Sequence, residues 1–304
     1  MSRVLVTGAT GFVGRAVLDR WSAERPGDEL LATGDGGPPA GLSPSQFRAA
    51  DLTEPGAAAS LVAWACPDAV VHLAGQIRGD DLEELLRTNV LATHQLYEAL
   101  AAGGPAGRVR VVQASSAAVY GPPETEDGCL PEDHPLRPVS VYGLSKAAQE
   151  LAASVALARH GLQVIRARFF NLVGPGQPAF LVPMGFLVQL VGGGDEVRAG
   201  DLSPRRDFLD VRDAAAAVVR LATAGTPGLA YNVASGREVS IREVLDLVAR
   251  VTGRTLRTVQ APGAAPGPGV PRARADVTRI GTDTGWSADI PLETSLRDMW
   301  ETLA

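Results

Sequence analysis

Residues 3–14 read RVLVTGATGFVG and decide the fold. Residues 3–7 are rich in β-forming side chains, three glycines follow them at intervals of three, and residues 15–23 have a helical pattern. A strand, a glycine-rich turn and a helix in this order open a dinucleotide-binding βαβ unit. The glycines let the backbone approach a pyrophosphate, and the free N–H groups of the helix N-terminus favour its charge. The residues predicted to hold the pyrophosphate are Gly8, Gly11, Phe12, Val13 and Gly14.

Strands and helices alternate through the first half of the chain. Strand-like runs lie at 30–33, 69–73, 109–114 and 164–169, and helical stretches lie at 55–66, 82–102 and 142–160. This alternation predicts an α/β fold with a doubly wound parallel sheet of the Rossmann type.

The pattern changes after Asn171. The sequence predicts a loop at 174–178, an apolar helix at 180–191, a glycine-rich connection at 192–203, an alanine-rich helix at 213–222, a helix at 241–252 opened by the capping box of Ser240 and Glu243, and an irregular loop at 260–271. We therefore predict a NAD-binding domain at 1–171, to which 209–235 return, and a smaller C-terminal α/β lobe for the substrate at 172–208 and 236–304.

Composition excludes several classes of protein. The net charge is −6 with both signs interspersed, so no basic stripe predicts a nucleic-acid partner. No apolar run reaches the roughly 18 residues of a membrane span, and the N-terminus does not resemble a signal peptide, so we expect a cytoplasmic protein. Two cysteines and four scattered histidines predict neither a disulfide framework nor a metal site.

Three further groups of residues are placed to contact a dinucleotide. Asp35 follows the second strand, where a carboxylate bonds the ribose hydroxyls and repels a 2′-phosphate, so it favours NAD, with NADH preferred over NADPH. Two alternatives are that the acidic position falls at Gly34 and that Asp35 belongs only to the turn. Asp51 and Leu52, just after an expected third strand, are predicted to flank the adenine ring. Leu73, Ala74 and Gly75, at the end of the fourth strand, are predicted to lie beneath the cofactor.

A tyrosine and a lysine four residues apart form the second informative pattern. Tyr142 and Lys146 share one helical face, and Lys146 is the single lysine among 28 basic residues. A chain that otherwise uses arginine keeps lysine where a compact ammonium is needed. We expect this ammonium to lower the tyrosine pKa from about 10 toward neutrality. Ser116 follows a predicted strand, from which its hydroxyl can bond a reacting oxygen.

These motifs together resemble the extended short-chain dehydrogenase/reductase family, the NAD-dependent epimerases and dehydratases of nucleotide sugars. The matching stretches are GATGFVG at 8–14, HLAG at 72–75, SSAAVYG at 115–121 and YGLSK at 142–146. In the C-terminal half, FFNLVGPGQ at 169–177, RRDFLDVRD at 205–213 and YNVASG at 231–236 are most similar to nucleotide-sugar 4-ketoreductases such as the GDP-4-keto-6-deoxymannose reductases.

The resemblance implies a role for each matching residue. Ser116 is then the catalytic hydroxyl, Tyr142 the proton donor and Lys146 the residue that tunes it and bonds the nicotinamide ribose. Asn89 then supports the active-site backbone, and Asn171 and Arg206 then bind the sugar nucleotide, with Arg206 on the pyrophosphate. An interlobe salt bridge of Arg206 with Asp207 or Asp210 is the structural alternative.

Two stretches depart from the family pattern. Ala117 and Ala118 stand where the dehydratases of the family place an acidic pair, which argues against water elimination. Residues 265–271 read APGPGVP where an Arg-Pro motif commonly grips the diphosphate, with Arg272 and Arg274 just beyond. The usual Arg-Pro motif therefore does not explain how this chain would hold the diphosphate.

The sequence thus predicts NAD(P)H-dependent reduction of the C4 keto group of a nucleotide-activated 4-keto-6-deoxyhexose. A nucleotide-sugar 4-epimerase uses the same serine, tyrosine and lysine and is the alternative, distinguished by retention of NAD. A non-catalytic NAD-sensing protein is a third hypothesis, which the intact tyrosine and lysine disfavour. The resemblance also implies a homodimer formed through the helices at 82–102 and 142–160.

Overall fold

The computed structural model describes residues 2–103, 109–261 and 270–303. Within these ranges six strands form one parallel sheet in the order β2-β1-β3-β4-β6-β10. The strands are β1 (Arg3–Thr7), β2 (Glu29–Thr33), β3 (Ala69–His72), β4 (Arg110–Ser116), β5 (Cys129–Leu130), β6 (Gln163–Phe169), β7 (Asn171–Val173), β8 (Glu196–Ala199), β9 (Arg205–Asp210), β10 (Ala230–Val233), β11 (Glu238–Ser240), β12 (Arg257–Gln260) and β13 (Arg272–Ala275). The predicted doubly wound parallel sheet is confirmed.

Helices cover both faces of this sheet. They are α1 (Phe12–Glu24), α2 (Ala57–Ala65), α3 (Leu82–Leu85), α4 (Ala92–Ala102), α5 (Val141–His160), α6 (Val182–Leu190), α7 (Val211–Ala224), α8 (Ile241–Thr252), α9 (Thr278–Thr284) and α10 (Leu292–Glu301). Alternate residues of each central strand enter opposite apolar layers, one against α1 and α7 and the other against α2, α4 and α5. The strands are apolar on both faces because both faces are covered.

The remaining strands build smaller sheets beside the large one. β11, β9, β13 and β5 are neighbours in that order, and β7 pairs with β9. A separate apolar cluster joins α6, α8 and α10. The capping box at the start of α8 is confirmed, since the Glu243 amide donates to Ser240 Oγ at 3.1 Å and the Ser240 amide donates to the Glu243 carboxylate at 2.7 Å.

The structure corrects four predicted elements. The helix expected at 82–102 is interrupted by a π-helical turn, Leu86–Leu91, between α3 and α4. The connection expected at 192–203 contains the strand β8, which pairs with β12. Gln260, expected to open an irregular loop, is instead the last residue of β12. Residues 262–269 of that loop lie outside the described residues. The strand expected just before Asp51 is reduced to one bridge between Ala32 and Phe47.

Candidate active site

The glycine-rich turn is shaped by backbone contacts that exclude side chains. Gly8 has φ +67°, and a Cβ there would lie 2.7 Å from the Ala74 amide nitrogen. A Cβ on Gly14 would overlap the Gly8 carbonyl oxygen, so α1 packs directly against the turn. Gly11 is the N-cap residue of α1, and its amide donates to the Gly8 carbonyl at 3.1 Å. The turn thus leaves its backbone and the helix N-terminus open to a phosphate group.

A cleft of about 380 Å³ opens in front of this turn. It lies at the carboxyl ends of β1 and β3, where the strand order reverses, which is the ligand position of doubly wound sheets. Among the residues predicted to bind the cofactor, the cleft is lined by Gly8, Gly11, Asp35, Asp51, Leu52, Leu73, Ala74 and Gly75. Of the other predicted residues, Phe12 and Val13 are half-buried and Gly14 is buried in the first turn of α1.

The acidic side chain at the end of β2 belongs to Asp35. Gly34 itself carries no side chain, and a Cβ there would lie 2.6 Å from Thr10 Oγ1 and displace the Thr10 side chain. Asp35 is exposed and lines the cleft. Asp51, on the far side of the cleft, accepts hydrogen bonds from the Thr53 amide and hydroxyl, both at 2.8 Å, and these bonds lower the pKa of its carboxyl.

Ser116 and Tyr142 meet at the carboxyl edge of the sheet. Ser116 ends β4, and its Oγ accepts a hydrogen bond from the Ala118 amide at 3.2 Å. Tyr142 lies in the first turn of α5, which Ser140 caps through the Gly143 amide at 3.0 Å. A Cβ on Gly143 would overlap the Ala118 carbonyl oxygen, so this glycine lets the helix start approach the turn after Ser116.

The pKa values in this cluster reflect burial. Burial raises the pKa of Tyr142, and its hydrogen bond with Ser116 acts in the opposite direction. The predicted lowering of the tyrosine pKa by Lys146 is therefore wrong for this structure. Burial lowers the pKa of Lys146 to about 8, with Glu150 opposing the shift, while Lys146 Nζ donates to the Ala114 carbonyl at 2.6 Å.

Asn89 joins the cofactor-side loop to the helix of Tyr142. It is fully buried in the π-helical turn, and its Oδ1 accepts from the Gln76 amide at 2.8 Å. Its Nδ2 donates to the Gln76 carbonyl at 3.0 Å and to Ser145 Oγ at 2.9 Å. A Cβ on Gly75 would lie 2.8 Å from Asn89 Oδ1, so glycine is also needed beside this contact.

A buried ionic network behind the site was missed by the sequence analysis. Glu150, one turn beyond Lys146 on α5, accepts from Arg168 Nε and Nη2 at 2.8 and 2.7 Å and from Ser115 Oγ at 2.5 Å. Arg168 Nη1 also donates to the Tyr120 hydroxyl at 2.8 Å. Ser115 and Arg168 are register partners on β4 and β6, a pairing that only the sheet order reveals.

Arg206 is a half-buried cation on β9. Its Nη1 donates to the Arg205 carbonyl at 2.8 Å, and within the described ranges it has no carboxylate partner. The alternative of an interlobe salt bridge is wrong, because Asp207 accepts from Ser235, Gly236 and Ala275, and Asp210 pairs with Arg212. Burial lowers the pKa of Arg206. Asn171 lies nearby on β7 and donates through Nδ2 to the Asp207 carbonyl at 2.9 Å.

The arginines that follow the APGPGVP stretch are engaged elsewhere. Arg272 forms an ion pair with Glu238 and donates to the Glu126 carbonyl, and Arg274 pairs with Asp127 at 2.6 Å. A second cavity, of about 310 Å³, lies between α6 and the turn after β8. Its walls include Phe180, Phe186, Gln189, Arg198, Asp201 and Ile241.

Sequence comparison places these features in a known family. The model of the NAD dependent epimerase/dehydratase family matches residues 4–234. The chain belongs to this family. Its glycine-rich turn, its cleft and the Ser116, Tyr142 and Lys146 cluster all lie within the matched residues.

Characterised members of the NAD dependent epimerase/dehydratase family extend the comparison. The chain is 34% identical to the GDP-6-deoxy-D-mannose reductase of Pseudomonas aeruginosa over 98% of its own length and 97% of the relative's. It is 32% identical to the UDP-glucose 4-epimerase of Streptomyces lividans over 98% and 95%. The structure of RMD from Pseudomonas aeruginosa complexed with NADPH matches 100% of this chain and 99% of that one, at 32% identity and a TM-score of 0.85.

In the described residues no helix is both long enough and apolar enough to cross a membrane.

Proposed function

We propose that this family member reduces the C4 keto group of a nucleotide-activated 4-keto-6-deoxyhexose with a reduced nicotinamide cofactor. The observation that carries the proposal is the hydrogen bond between Tyr142 and Ser116 at the carboxyl edge of the sheet whose glycine-rich turn faces the cleft, with Lys146 one turn further along the helix. The similarity to a GDP-6-deoxy-D-mannose reductase over nearly the whole of both chains supports the same reaction.

The residues of the chain provide the acid and the electrostatic support for this reaction. The bound dinucleotide supplies the hydride that the carbonyl carbon receives. Ser116 and Tyr142 donate hydrogen bonds to the carbonyl oxygen as negative charge develops on it, and Tyr142 transfers its proton to that oxygen. Burial keeps Tyr142 protonated at neutral pH, as an acid must be. Lys146, one helical turn beyond Tyr142, is our candidate for bonding the nicotinamide ribose.

Arg206 is our candidate for the diphosphate of the substrate. A half-buried guanidinium without a carboxylate partner among the described residues favours an external anion, and its planar fork matches phosphate oxygens. Asn171 is a second candidate contact on the adjoining strand. The cavity between α6 and the turn after β8 has the aromatic and polar walls that a nucleobase needs.

The cofactor preference is part of the proposal. Asp35 supplies an exposed carboxylate at the rim of the cleft where β2 ends, which favours NADH because a 2′-phosphate would be repelled there. The Pseudomonas aeruginosa structure that resembles this chain contains NADPH, so the preference has to be measured on this protein.

A nucleotide-sugar 4-epimerase is the second candidate, favoured by the similarity to the Streptomyces lividans UDP-glucose 4-epimerase. An epimerase oxidises C4 and then returns the hydride to the other face, so it must keep its NAD through the cycle. The two candidates therefore differ in the nicotinamide content of the purified protein and in whether NADH is consumed.

The decisive experiment follows reduced nicotinamide by absorbance. Purified protein mixed with NADH and a GDP- or dTDP-linked 4-keto-6-deoxyhexose is expected to consume NADH. Tyr142→Phe is expected to lower the rate by roughly a hundredfold or more, because the proton donor is removed. Tyr231→Phe is the matched control, since the Tyr231 hydroxyl bonds Thr226 and Asp283 away from the cleft. Retained NAD together with interconversion of UDP-hexoses would instead establish the epimerase.

Domain organisation, location and assembly complete the proposal. We assign cofactor binding to 1–171 and 209–235 and substrate binding to 172–208 and 236–304, because the cleft lies in the first set and Arg206 with the second cavity lies in the other. A cytoplasmic location stays a prediction from the sequence. A homodimer is proposed because the outward face of α5 is apolar, with Leu144, Leu151 and Val155 exposed.

A further inference from the structure

His72 lies at the carboxyl end of β3, 1% exposed, directly beneath the cofactor cleft. Its Nδ1 is 2.8 Å from Thr7 Oγ1, and its Nε2 is 2.8 Å from Thr93 Oγ1. Both ring nitrogens therefore bond hydroxyl groups. Hydroxyls donate or accept, so the neighbours of each threonine determine where the ring proton lies.

Thr93 fixes the proton on Nε2. Its hydroxyl lies 2.7 Å from the carbonyl oxygen of Asn89, four residues earlier, and a carbonyl oxygen only accepts. The single hydrogen of Thr93 is thus used, and its oxygen must accept from His72 Nε2. A second donor, Gln149 Nε2 at 2.8 Å, fills the remaining lone pair.

Thr7 fixes the opposite role on Nδ1. The Thr7 oxygen accepts from the Ala74 amide at 3.2 Å, and its hydrogen is free to donate to His72 Nδ1. The ring is neutral, because burial lowers the pKa of His72 to about 3 and the charge of Lys146 acts in the same direction. The groups bonded to the ring, Thr7 from β1 and Thr93 from α4, are uncharged.

A second run of hydrogen bonds leads from the Asn89 side chain to the helix of Tyr142. Asn89 Nδ2 donates to Ser145 Oγ at 2.9 Å, and Ser145 Oγ donates to the Tyr142 carbonyl at 2.8 Å. Every donor from the Ala74 amide to the Asn89 carbonyl therefore points the same way, and so does every donor from the Asn89 side chain to the Tyr142 carbonyl. Aligned hydrogen bonds polarise one another, so each run is strengthened by its common direction.

We infer that His72, as the neutral Nε2–H tautomer, is a positioning residue that links the cofactor-side backbone at Ala74 to the π-helical turn of Asn89 and through it to Tyr142. The π-helical turn lacks the regular α-helical ladder, and the Thr93 hydroxyl provides a bond to the Asn89 carbonyl at its junction with α4. His72 holds that hydroxyl by donating to it. The kinetic consequence rests on the proposed function, whereas the tautomer does not.

The tautomer is tested by ¹⁵N NMR of the histidine rings in the complete protein without substrate. The signal that is lost in His72→Gln is expected to show a protonated Nε2 and an unprotonated Nδ1, unchanged between pH 5 and pH 9. A protonated Nδ1, or titration of the ring within that range, would overturn the inference. This result is independent of which sugar the enzyme uses.

Kinetics of Thr93→Val and His72→Leu test the positioning role. Each is expected to lower kcat by roughly ten- to a hundredfold with KM for NADH changed by less than about threefold, because misplaced reacting groups slow the chemical step. The double variant is expected to be no slower than the worse single variant, since both break one chain. His72→Gln, which keeps a donor toward Thr93, is expected to recover part of the rate lost in His72→Leu.

Thr252→Val is the matched control for the threonine substitution. Thr252 makes the same bond to a carbonyl four residues earlier, at 2.8 Å from Val248 O on α8, without a histidine partner. It is expected to leave kcat unchanged. A folded Thr93→Val protein with unchanged kcat would refute the positioning role. If the wild-type protein reduces no keto sugar while the NMR shows the expected tautomer, the proposed function fails and the hydrogen-bond assignment stands.

Discussion

At the scale of single residues, Asp35 is the side chain expected to decide between the two cofactors. Asp35→Asn removes a negative charge from the rim of the cleft, so the ratio of kcat/KM for NADH to that for NADPH is expected to fall roughly five- to tenfold. Steady-state kinetics with both cofactors measure the ratio. Asp19→Asn changes the net charge equally from the exposed face of α1 and is expected to leave it unchanged. An unaltered ratio in Asp35→Asn would show that Asp35 belongs only to the turn.

Lys146 is expected to set the alkaline limit of activity. Its pKa of about 8 lies below the ordinary 10.5, so the ammonium is lost as pH rises through about 8. Since the pKa of Tyr142 is raised, the tyrosine keeps its proton in this range. We therefore expect kcat/KM, which reports the free enzyme, to decline above about pH 8 with the loss of one proton.

Lys146→Arg identifies the group responsible for this limit. A guanidinium stays charged throughout the accessible pH range, so the variant is expected to be slower but to show no decline near pH 8. The comparison needs full pH profiles of kcat/KM for NADH in both proteins, measured at saturating keto sugar. A decline at the same pH in Lys146→Arg would assign the limit to another group.

The local geometry of the residue motifs follows from the sequence, but their electrostatics do not. Gly8 and Gly11 line the cleft and Tyr142 bonds Ser116, because helix and turn geometry are local. The direction of the tyrosine pKa shift depends on burial, which is set by the packing of α5 against β4 and β6. Likewise, only the tertiary contacts of Asp207 and Asp210, which bond other groups, leave Arg206 without a carboxylate partner among the described residues.

At the scale of elements, α5 is inverted relative to an ordinary amphipathic helix. Its inward face carries buried polar residues, and its outward face carries exposed apolar ones. The buried polar residues are Ser145, Lys146, Gln149 and Glu150, and the exposed apolar residues are Leu144, Leu151 and Val155. Hydrophobic periodicity predicts the existence of such a helix but assigns its faces wrongly, because it assumes that apolar residues face the core.

The polar inner face of α5 is expected to contribute strongly to stability through Glu150. Burial raises the pKa of this carboxyl, but hydrogen bonds from Arg168 and Ser115 outweigh it, and the pKa lies below its ordinary value. Glu150→Gln leaves the buried Arg168 without its carboxylate partner and is expected to cost about 3–5 kcal/mol of unfolding free energy. Urea denaturation measures the loss.

A surface pair on neighbouring helices provides the control for this substitution. Glu98 bonds His160 at 2.9 Å between α4 and α5, and Glu98→Gln is expected to cost no more than about 1 kcal/mol. Adding Arg168→Met to Glu150→Gln is expected to recover part of the stability, because the uncompensated charge is removed. If Glu150→Gln costs as little as Glu98→Gln, the buried network is not a stabilising element.

The π-helical turn shows why element boundaries escape sequence analysis. Residues 82–102 carry a continuous helical pattern, and nothing in it marks the extra residue that shifts the register at Leu86–Leu91. The turn is held by tertiary contacts, since Asn89 bonds Gln76 from one loop and Ser145 from α5. Its cause therefore lies in partners distant along the chain.

At the scale of the whole molecule, the chain crosses between the two sets of sheets near Asp207. This fully buried carboxylate on β9 accepts hydrogen bonds from Ser235 and Gly236 after β10 and from Ala275 on β13. One residue thus joins the return segment of the large sheet to the C-terminal strands. The alternation of strands and helices predicted the large sheet. The short strands β5, β7, β11 and β13 are instead defined by pairing between segments that are distant along the chain.

The outward face of α5 predicts how two copies of the chain assemble. Leu144, Leu151 and Val155 are 44%, 64% and 46% exposed, and Leu91 in the π-helical turn is 54% exposed. Positions seven and eleven residues apart lie on one side of a helix, so the three α5 residues form a continuous apolar stripe. A second copy provides a self-complementary partner for such a stripe through a twofold axis.

Sedimentation equilibrium at micromolar concentration tests this arrangement, with a dimer expected for the wild-type protein. Leu151→Glu places a charge at the most exposed position of the stripe and is expected to give a folded monomer, because burying an unpaired carboxylate at the contact is unfavourable. Val191→Glu, at a 51% exposed position after α6, is the control and is expected to stay dimeric. A wild-type monomer, or a Leu151→Glu dimer as stable as the wild type, would remove this face as the interface. The other side of α5 carries Tyr142, Ser145 and Lys146. A monomeric variant with reduced kcat would therefore show that the dimer contact also stabilises the position of this helix.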